Sequence, residues 1–164
     1  MAPTAFESAE ARAGRADNVD LVRRAYRAIE DLFGDRPGAL DGAFRDRLDE
    51  RFELLMPATY PEGARVLQGR DGLKRWVGTT KEVWDEWRFE VERLIPTGDQ
   101  IVALVRVVVR GALSGVPLVR DTAHVWTVED GRVTRCEVYL DRAEALEAAG
   151  VSDPGGSAEP GPQA

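Results

Sequence analysis

The second half of the chain is dominated by long segments in which apolar and polar residues alternate, the pattern of β-strands with one buried face. Their length and proximity limit the fold to one built around an extended sheet. The last two segments flank Asp130-Gly131, a dipeptide typical of a tight hairpin turn, which predicts antiparallel pairing. The strands are predicted at about 51–56, 87–95, 101–110, 116–128 and 132–140.

Helical periodicity surrounds these strands. In the first predicted helix, Asn18 is a favourable N-cap, Gly34 follows the last turn, and an apolar stripe recurs every three to four residues. Three further helices are predicted at about 37–48, 71–84 and 142–149. Segregated helices and consecutive long strands predict an α+β fold in which helices close one face of a curved antiparallel sheet.

Composition predicts a single domain with flexible ends within the 164 residues. Residues 1–17 are rich in alanine, and residues 151–164 are rich in proline and glycine. Neither segment carries enough large apolar side chains to offset the entropy lost on ordering. We expect a flexible leader at 1–17, one domain at 18–150 and a disordered tail at 151–164.

Charge and motif content exclude several classes of function. A net charge of −7 argues against a general attraction to nucleic acid or anionic membranes, and no segment is apolar enough to span a bilayer. One cysteine and one histidine cannot form a zinc site without carboxylates, and glycine-rich phosphate-binding motifs are absent. We expect a cytoplasmic protein without metal or cofactor, and with neither nucleic acid nor membrane as a partner.

The alternation assigns each strand residue to one face of the sheet. Charged residues mark the outer face, and the opposite parity gives an almost wholly apolar inner face whose ionisable exception is Asp121. The outer face then holds aromatic and basic residues suited to a homodimer interface. These are Arg106, His124, Trp126 and Tyr139.

Three segments resemble SnoaL-like polyketide-cyclase domains of the nuclear transport factor 2-like superfamily. They are the closing hairpin with the last helix, HVWTVEDGRVTRCEVYLDRAEALEAAG, the opening helix, VDLVRRAYRAIED, and the entry to the third helix, QGRDGLKRWV. The resemblance covers about residues 18–150 and implies a cone in which helices close a strongly bent sheet around one pocket. The superfamily includes isomerases, epoxide hydrolases, cyclases, dehydratases and domains without catalytic activity, so the fold alone does not fix the function.

Two of these activities lack their residues in this chain. The tyrosine, aspartate base and protonated aspartate of ketosteroid isomerases fall on Tyr26, Met56 and Ala123, so only the tyrosine is retained. Epoxide hydrolases of the limonene type carry acids where this chain has Val108 and Val138. A cyclase-type mechanism needs an inward acid, for which Asp121 is the one clear candidate.

We therefore predict Asp121 as the catalytic base and Tyr26 as the hydrogen-bond donor. The predicted pocket lining is Met56, Trp76, Trp87, Phe89, Val105, Val107, Ala123, Val125, Cys136 and Val138. The alternatives are a solvated rim position for Asp121 and a purely structural role for Tyr26 and the aromatic residues. Two functions stay open: a cofactor-independent acid–base enzyme acting on an apolar or aromatic small molecule, and a non-catalytic ligand-binding or structural dimer.

Overall fold

The computed structural model of the protein describes residues 9–36, 46–59 and 65–152. Its elements, in chain order, are α1 (Ala9–Phe33), β1 (Leu48–Met56), β2 (Arg65–Gln68), α2 (Gly69–Lys81), β3 (Trp84–Thr97), β4 (Gln100–Gly111), β5 (Pro117–Glu129), β6 (Arg132–Tyr139) and α3 (Arg142–Ala148). All five predicted strands are present, and β2 is an additional short strand. Residues 37–45 of the helix predicted at 37–48 lie outside the described residues, and Leu48 begins β1 instead.

α1 is longer than the sequence predicted. The helix begins at Ala9 rather than after Asn18, because the segment before Asn18 consists mainly of residues with high helix propensity, above all alanine. Its buried residues all lie in the second half of the helix, where the apolar stripe was predicted. They are Leu21, Val22, Ala25, Tyr26, Ala28 and Ile29.

The six strands form one sheet in the order β2-β1-β6-β5-β4-β3. Four of the five neighbouring pairs are antiparallel, and β1 runs parallel to β6. The expectation of a wholly antiparallel sheet is wrong for this pair, since β1 and β6 are distant in the chain and no short turn fixes their relative direction. The predicted α+β class is confirmed.

Helices cover both faces of the sheet. α1 and α2 pack on the face that we call inner, where they form the larger apolar cluster with the sheet. α3 packs on the outer face, where Ala145 contacts a smaller cluster made of Val102, Ala123 and Val125. Asp141 caps this helix by accepting hydrogen bonds from the backbone N–H groups of residues 143 and 144.

The edge strand β3 is fixed to α1 through one side chain. Glu30 Oε2 accepts a hydrogen bond from the backbone N–H of Phe89 at 2.6 Å. Edge strands leave backbone donors without a neighbouring strand, so this contact satisfies one of them and holds α1 over the inner face. The space between α1, α2 and the inner face contains the cavity described next.

Candidate functional site

An interior cavity of about 250 Å³ lies between the inner face of the sheet and the helices α1 and α2. Its wall is mostly aromatic and aliphatic, and among the residues that the structure describes Arg120 is the one charged residue on it. A cavity of about 150 Å³ holds one benzene ring, so this cavity has room for a larger aromatic molecule.

Polar groups on the cavity wall meet at Tyr26. The Tyr26 hydroxyl lies 2.6 Å from Nδ1 of His124 and accepts a hydrogen bond from Nε1 of Trp126 at 2.9 Å. All three residues are buried, with His124 at 6% and Trp126 at 2% exposed. α1 therefore places a phenol against an imidazole and an indole of β5.

The hydrogen bonds form a chain with a consistent direction. Thr122 Oγ1 donates to the backbone carbonyl of Val105 at 3.2 Å and lies 3.4 Å from Nε2 of His124. Because the hydroxyl proton of Thr122 is donated to the Val105 carbonyl, the contact between Thr122 and His124 needs a proton on Nε2. Nε2–H of His124 therefore donates a hydrogen bond to Thr122 Oγ1. Nδ1 is then unprotonated and accepts the proton of Tyr26; this assignment of the tautomer follows from the network.

Burial keeps this cluster uncharged. Desolvation lowers the pKa of His124 to about 4 and raises the pKa of Tyr26 well above its usual range, with a smaller increase from Cys136. Burial likewise raises the pKa of the Cys136 thiol, which lines the same cavity. At neutral pH the cavity therefore presents a neutral phenol and a neutral imidazole.

The structure places seven of the ten predicted lining residues on the cavity wall. They are Met56, Trp76, Trp87, Phe89, Val107, Cys136 and Val138. Val105 is fully buried in the inner cluster but does not line the cavity. Tyr26, predicted as a donor, does line it.

The expected inward orientation of Asp121 is wrong. Asp121 lies on the outer face opposite Arg106, with its Oδ1 3.0 Å from Arg106 Nε and half of its side chain exposed. Arg142 and Glu92 complete this exposed group of charges. The carboxylate cannot reach the cavity from the other side of the sheet.

The remaining corrections concern the same strand. Ala123 and Val125, predicted in the pocket, belong to the outer cluster beneath α3. His124 and Trp126, predicted on the outer face as dimer contacts, lie inside. Arg106 and Tyr139 are on the outer side of the sheet, as their parity predicted.

A β-bulge explains why β5 was assigned to the wrong face. Beside the Asp130-Gly131 turn, Val128 pairs with Val133, but the next pair is Thr127 with Arg135, so Thr134 is an extra residue. Without it, Trp126 would stand opposite Arg135, a charged outer residue. With it, Trp126 stands opposite Cys136, and His124 opposite Val138.

One signal in the sequence could have located the missed residues His124, Trp126 and Thr122. Arg106 and Asp121 pair directly across the β4–β5 hairpin, and oppositely charged cross-strand neighbours stabilise each other on one face. Placing Asp121 beside Arg106 on the outer face turns the next residue, Thr122, inward, and His124 and Trp126 with it.

Two absences are observed within residues 9–36, 46–59 and 65–152. No helix there combines the length and apolarity needed to cross a membrane. No group of three or more His, Cys, Asp or Glu side chains in these ranges is arranged to hold a metal ion.

The sequence matches one family model, described as SnoaL-like domain, over residues 22–136. No curated protein matches the chain.

Solved structures share the fold. A nuclear transport factor 2-like protein of unknown function from Burkholderia pseudomallei is 23% identical over 81% of this chain and 97% of its own, with a TM-score of 0.60. A putative SnoaL-like polyketide cyclase from Jannaschia sp. is 18% identical over 94% and 99%, with a TM-score of 0.62. TerC, co-crystallised with polyporic acid, is 20% identical over 79% and 96%, with a TM-score of 0.59.

Proposed function

The chain belongs to the SnoaL-like domain family, and we propose that it binds a planar, apolar small molecule in its interior cavity. The observation that carries this proposal is the cavity itself: about 250 Å³ walled by aromatic and aliphatic side chains, with the Tyr26–His124 pair as its polar centre. Such a lining, with few polar groups, is typical of small-molecule sites. The precedent of TerC, which shares the fold and was co-crystallised with polyporic acid, supports a ligand-binding role.

The polar cluster offers a ligand one acceptor position. A phenol oxygen has two lone pairs, and one of those of Tyr26 accepts from Trp126. The other is available to an O–H or N–H group of a ligand. The ligand is uncharged at this end, because Tyr26 and His124 are neutral at pH 7 and an unpaired ion would lose its hydration.

Adjacent residues of β4 provide a matched test of cavity binding. Val107 lines the cavity, whereas Val108 belongs to the opposite face of the same strand. We expect the wild type and Val108→Phe to bind fluorene, a planar three-ring hydrocarbon, in equilibrium dialysis, and Val107→Phe to bind it at least tenfold more weakly. Equal binding by the two variants would contradict occupancy of the cavity.

Proton transfer on the ligand is the second candidate function, favoured by the neutral His124 and its contact with Tyr26. A proton leaving the ligand would bond to the free lone pair of Tyr26 as the Tyr26 proton passes to Nδ1 of His124. The products are a ligand anion and an imidazolium, and Tyr26 is unchanged. Cofactor-independent cyclases, isomerases and dehydratases can begin with such a step.

The pKa of His124 limits the substrates of this reaction. A conjugate acid with a pKa of about 4 makes His124 a weak base, so the transferred proton has to come from an activated C–H group beside a carbonyl. Deuterium exchange at C1 of 2-tetralone, followed by NMR, tests this step. We expect acceleration by the wild type, a loss of about 100-fold in His124→Gln, and no change in Asp121→Asn. Equal exchange with and without the protein would exclude this function.

A cytoplasmic homodimer remains part of the proposal. With His124 and Trp126 inside the fold, an interface on the outer face would rest on Arg106 and Tyr139. Sedimentation velocity at micromolar concentration tests it, and a single monomeric species would contradict it.

A further inference from the structure

The cavity wall contains a second cluster of polar side chains, separate from the cluster of Tyr26 and His124. The indole Nε1 of Trp76, the indole Nε1 of Trp87 and the hydroxyl of Thr80 are buried and, in the part of the chain that the structure describes, have no hydrogen-bond partner. All three residues line the cavity. Trp76 is 5% and Thr80 4% exposed, so bulk water does not satisfy them.

Secondary structure and ring packing hold these three residues close together. Trp76 and Thr80 are four residues apart on α2 and therefore lie on the same side of the helix, one turn from each other. Trp87 comes from β3, and its ring packs edge-to-face against Trp76 with centroids 5.5 Å apart. Phe33 contacts both indoles, stacked on Trp87 at 4.9 Å and edge-on to Trp76 at 5.6 Å. The indoles are thus fixed by packing.

The two polar clusters differ in whether donors or acceptors remain without a hydrogen-bond partner. At Tyr26 the hydrogen-bond chain uses every donor, and only acceptor capacity remains. At Trp76, Trp87 and Thr80 three donors remain. Because a buried donor without an acceptor is unfavourable, a ligand that supplies an acceptor here gains affinity that a hydrocarbon does not.

We propose that Trp76, Trp87 and Thr80 form a subsite for a neutral hydrogen-bond acceptor of the ligand, a carbonyl oxygen. The inference rests on the proposed occupancy of the cavity and adds the chemical group that is recognised. We expect a neutral carbonyl rather than a carboxylate, because none of these three donors carries a charge to offset the loss of hydration. Arg120, which also lines the cavity, is exposed to solvent. Phe89 lies between the two polar clusters. Its ring centroid is 6.1 Å from that of Trp87 and 6.2 Å from that of His124. A ligand of two or three rings can therefore reach from one cluster to the other.

Three probes that share the fluorene ring system separate these possibilities: 9-fluorenone with a carbonyl, fluorene with no acceptor, and fluorene-9-carboxylate. We expect fluorenone to bind at least tenfold more tightly than fluorene to the wild type in equilibrium dialysis. Trp76→Phe, Trp87→Phe and Thr80→Val each remove one donor and keep its approximate shape. Each is expected to lower the ratio of fluorenone affinity to fluorene affinity about fivefold, because a change in the shape of the wall acts on both probes whereas the lost donor acts on fluorenone alone.

Trp84→Phe is the matched control, because Trp84 lines the same cavity and its N–H is not among the buried, unpartnered donors. It is expected to leave the fluorenone-to-fluorene ratio unchanged. Equal binding of the two probes, or donor variants that behave like Trp84→Phe, would overturn the carbonyl subsite while cavity binding stands. Tighter binding of the carboxylate would overturn the neutral-carbonyl assignment, and no binding of any probe would overturn both proposals.

Discussion

Acidification from pH 7 to pH 5 should destabilise the fold through His124, the one histidine of the chain. Burial lowers its pKa from about 6.5 to about 4. Between these values the unfolded chain binds a proton that the folded protein does not, so the free energy of unfolding decreases as the pH falls. At about 1.4 kcal/mol per pKa unit the full effect is about 3 kcal/mol, of which about 2 kcal/mol is lost between pH 7 and pH 5.

Denaturant titrations at several pH values between 5 and 7.5 measure this loss. Tyr26 and Cys136 share the cavity, and both have raised pKa values, so neither titrates in this range. Surface carboxylates contribute equally to the wild type and to His124→Gln, and the difference between their pH profiles isolates the imidazole. Because the chain has one histidine, ¹⁵N NMR of the wild type reports the pKa and the tautomer directly. A pKa near 6.5, or parallel profiles, would refute the argument.

Three other substitutions test separate parts of the structure. Tyr26→Phe leaves the indole N–H of Trp126 without its acceptor and should lower the free energy of unfolding by about 1–3 kcal/mol in chemical denaturation. Gly72→Ala should lower the melting temperature although alanine favours helices, because its Cβ would lie 3.0 Å from the backbone carbon of Leu67; an unchanged melting temperature would contradict this packing. Asp121→Asn should leave fluorene affinity in dialysis unchanged, since Asp121 is on the outer face. Weaker binding would indicate that Asp121 faces the cavity after all.

The faces of a strand could be assigned from the sequence where charged residues mark one face, and could not be assigned where both faces are apolar. On β4 and β6 the charged residues Arg106 and Glu137 alternate with buried ones, so their faces were assigned correctly. On β5 the inner residues face the cavity, but Ala123 and Val125 are also apolar because α3 covers them. Alternation alone does not show which of two apolar faces is buried in the cavity. The bulge at Thr134 also shifts the pairing of β5 with β6 by one residue from that of a regular hairpin.

Other features depend on contacts distant in sequence and carry no local pattern. The parallel pairing of β1 with β6 is one, and the hydrogen bond between Tyr26 and His124, 98 residues apart, is another. Tyr26 was predicted as a site residue through the family resemblance, whereas its partner was placed outside because the face of β5 was wrong. The error in one strand therefore replaced a neutral imidazole with a carboxylate as the expected base.

The corrected placement agrees better with the electrostatics of a mostly apolar cavity. A carboxylate moved inward from the position of Asp121 would lose both water and its ion pair with Arg106, and neither Tyr26 nor His124 carries a positive charge to replace it. A phenol and an imidazole keep hydrogen-bonding capacity at neutral pH without charge, because burial moves their pKa values away from 7 in opposite directions. The outer face of the sheet thus carries paired charges, whereas the buried polar groups inside are neutral donors and acceptors, and the charged Arg120 on the cavity wall is exposed. A ligand complementary to such an interior carries its polarity in neutral groups, a hydrogen-bond donor facing Tyr26 and an acceptor facing Trp76, Trp87 and Thr80.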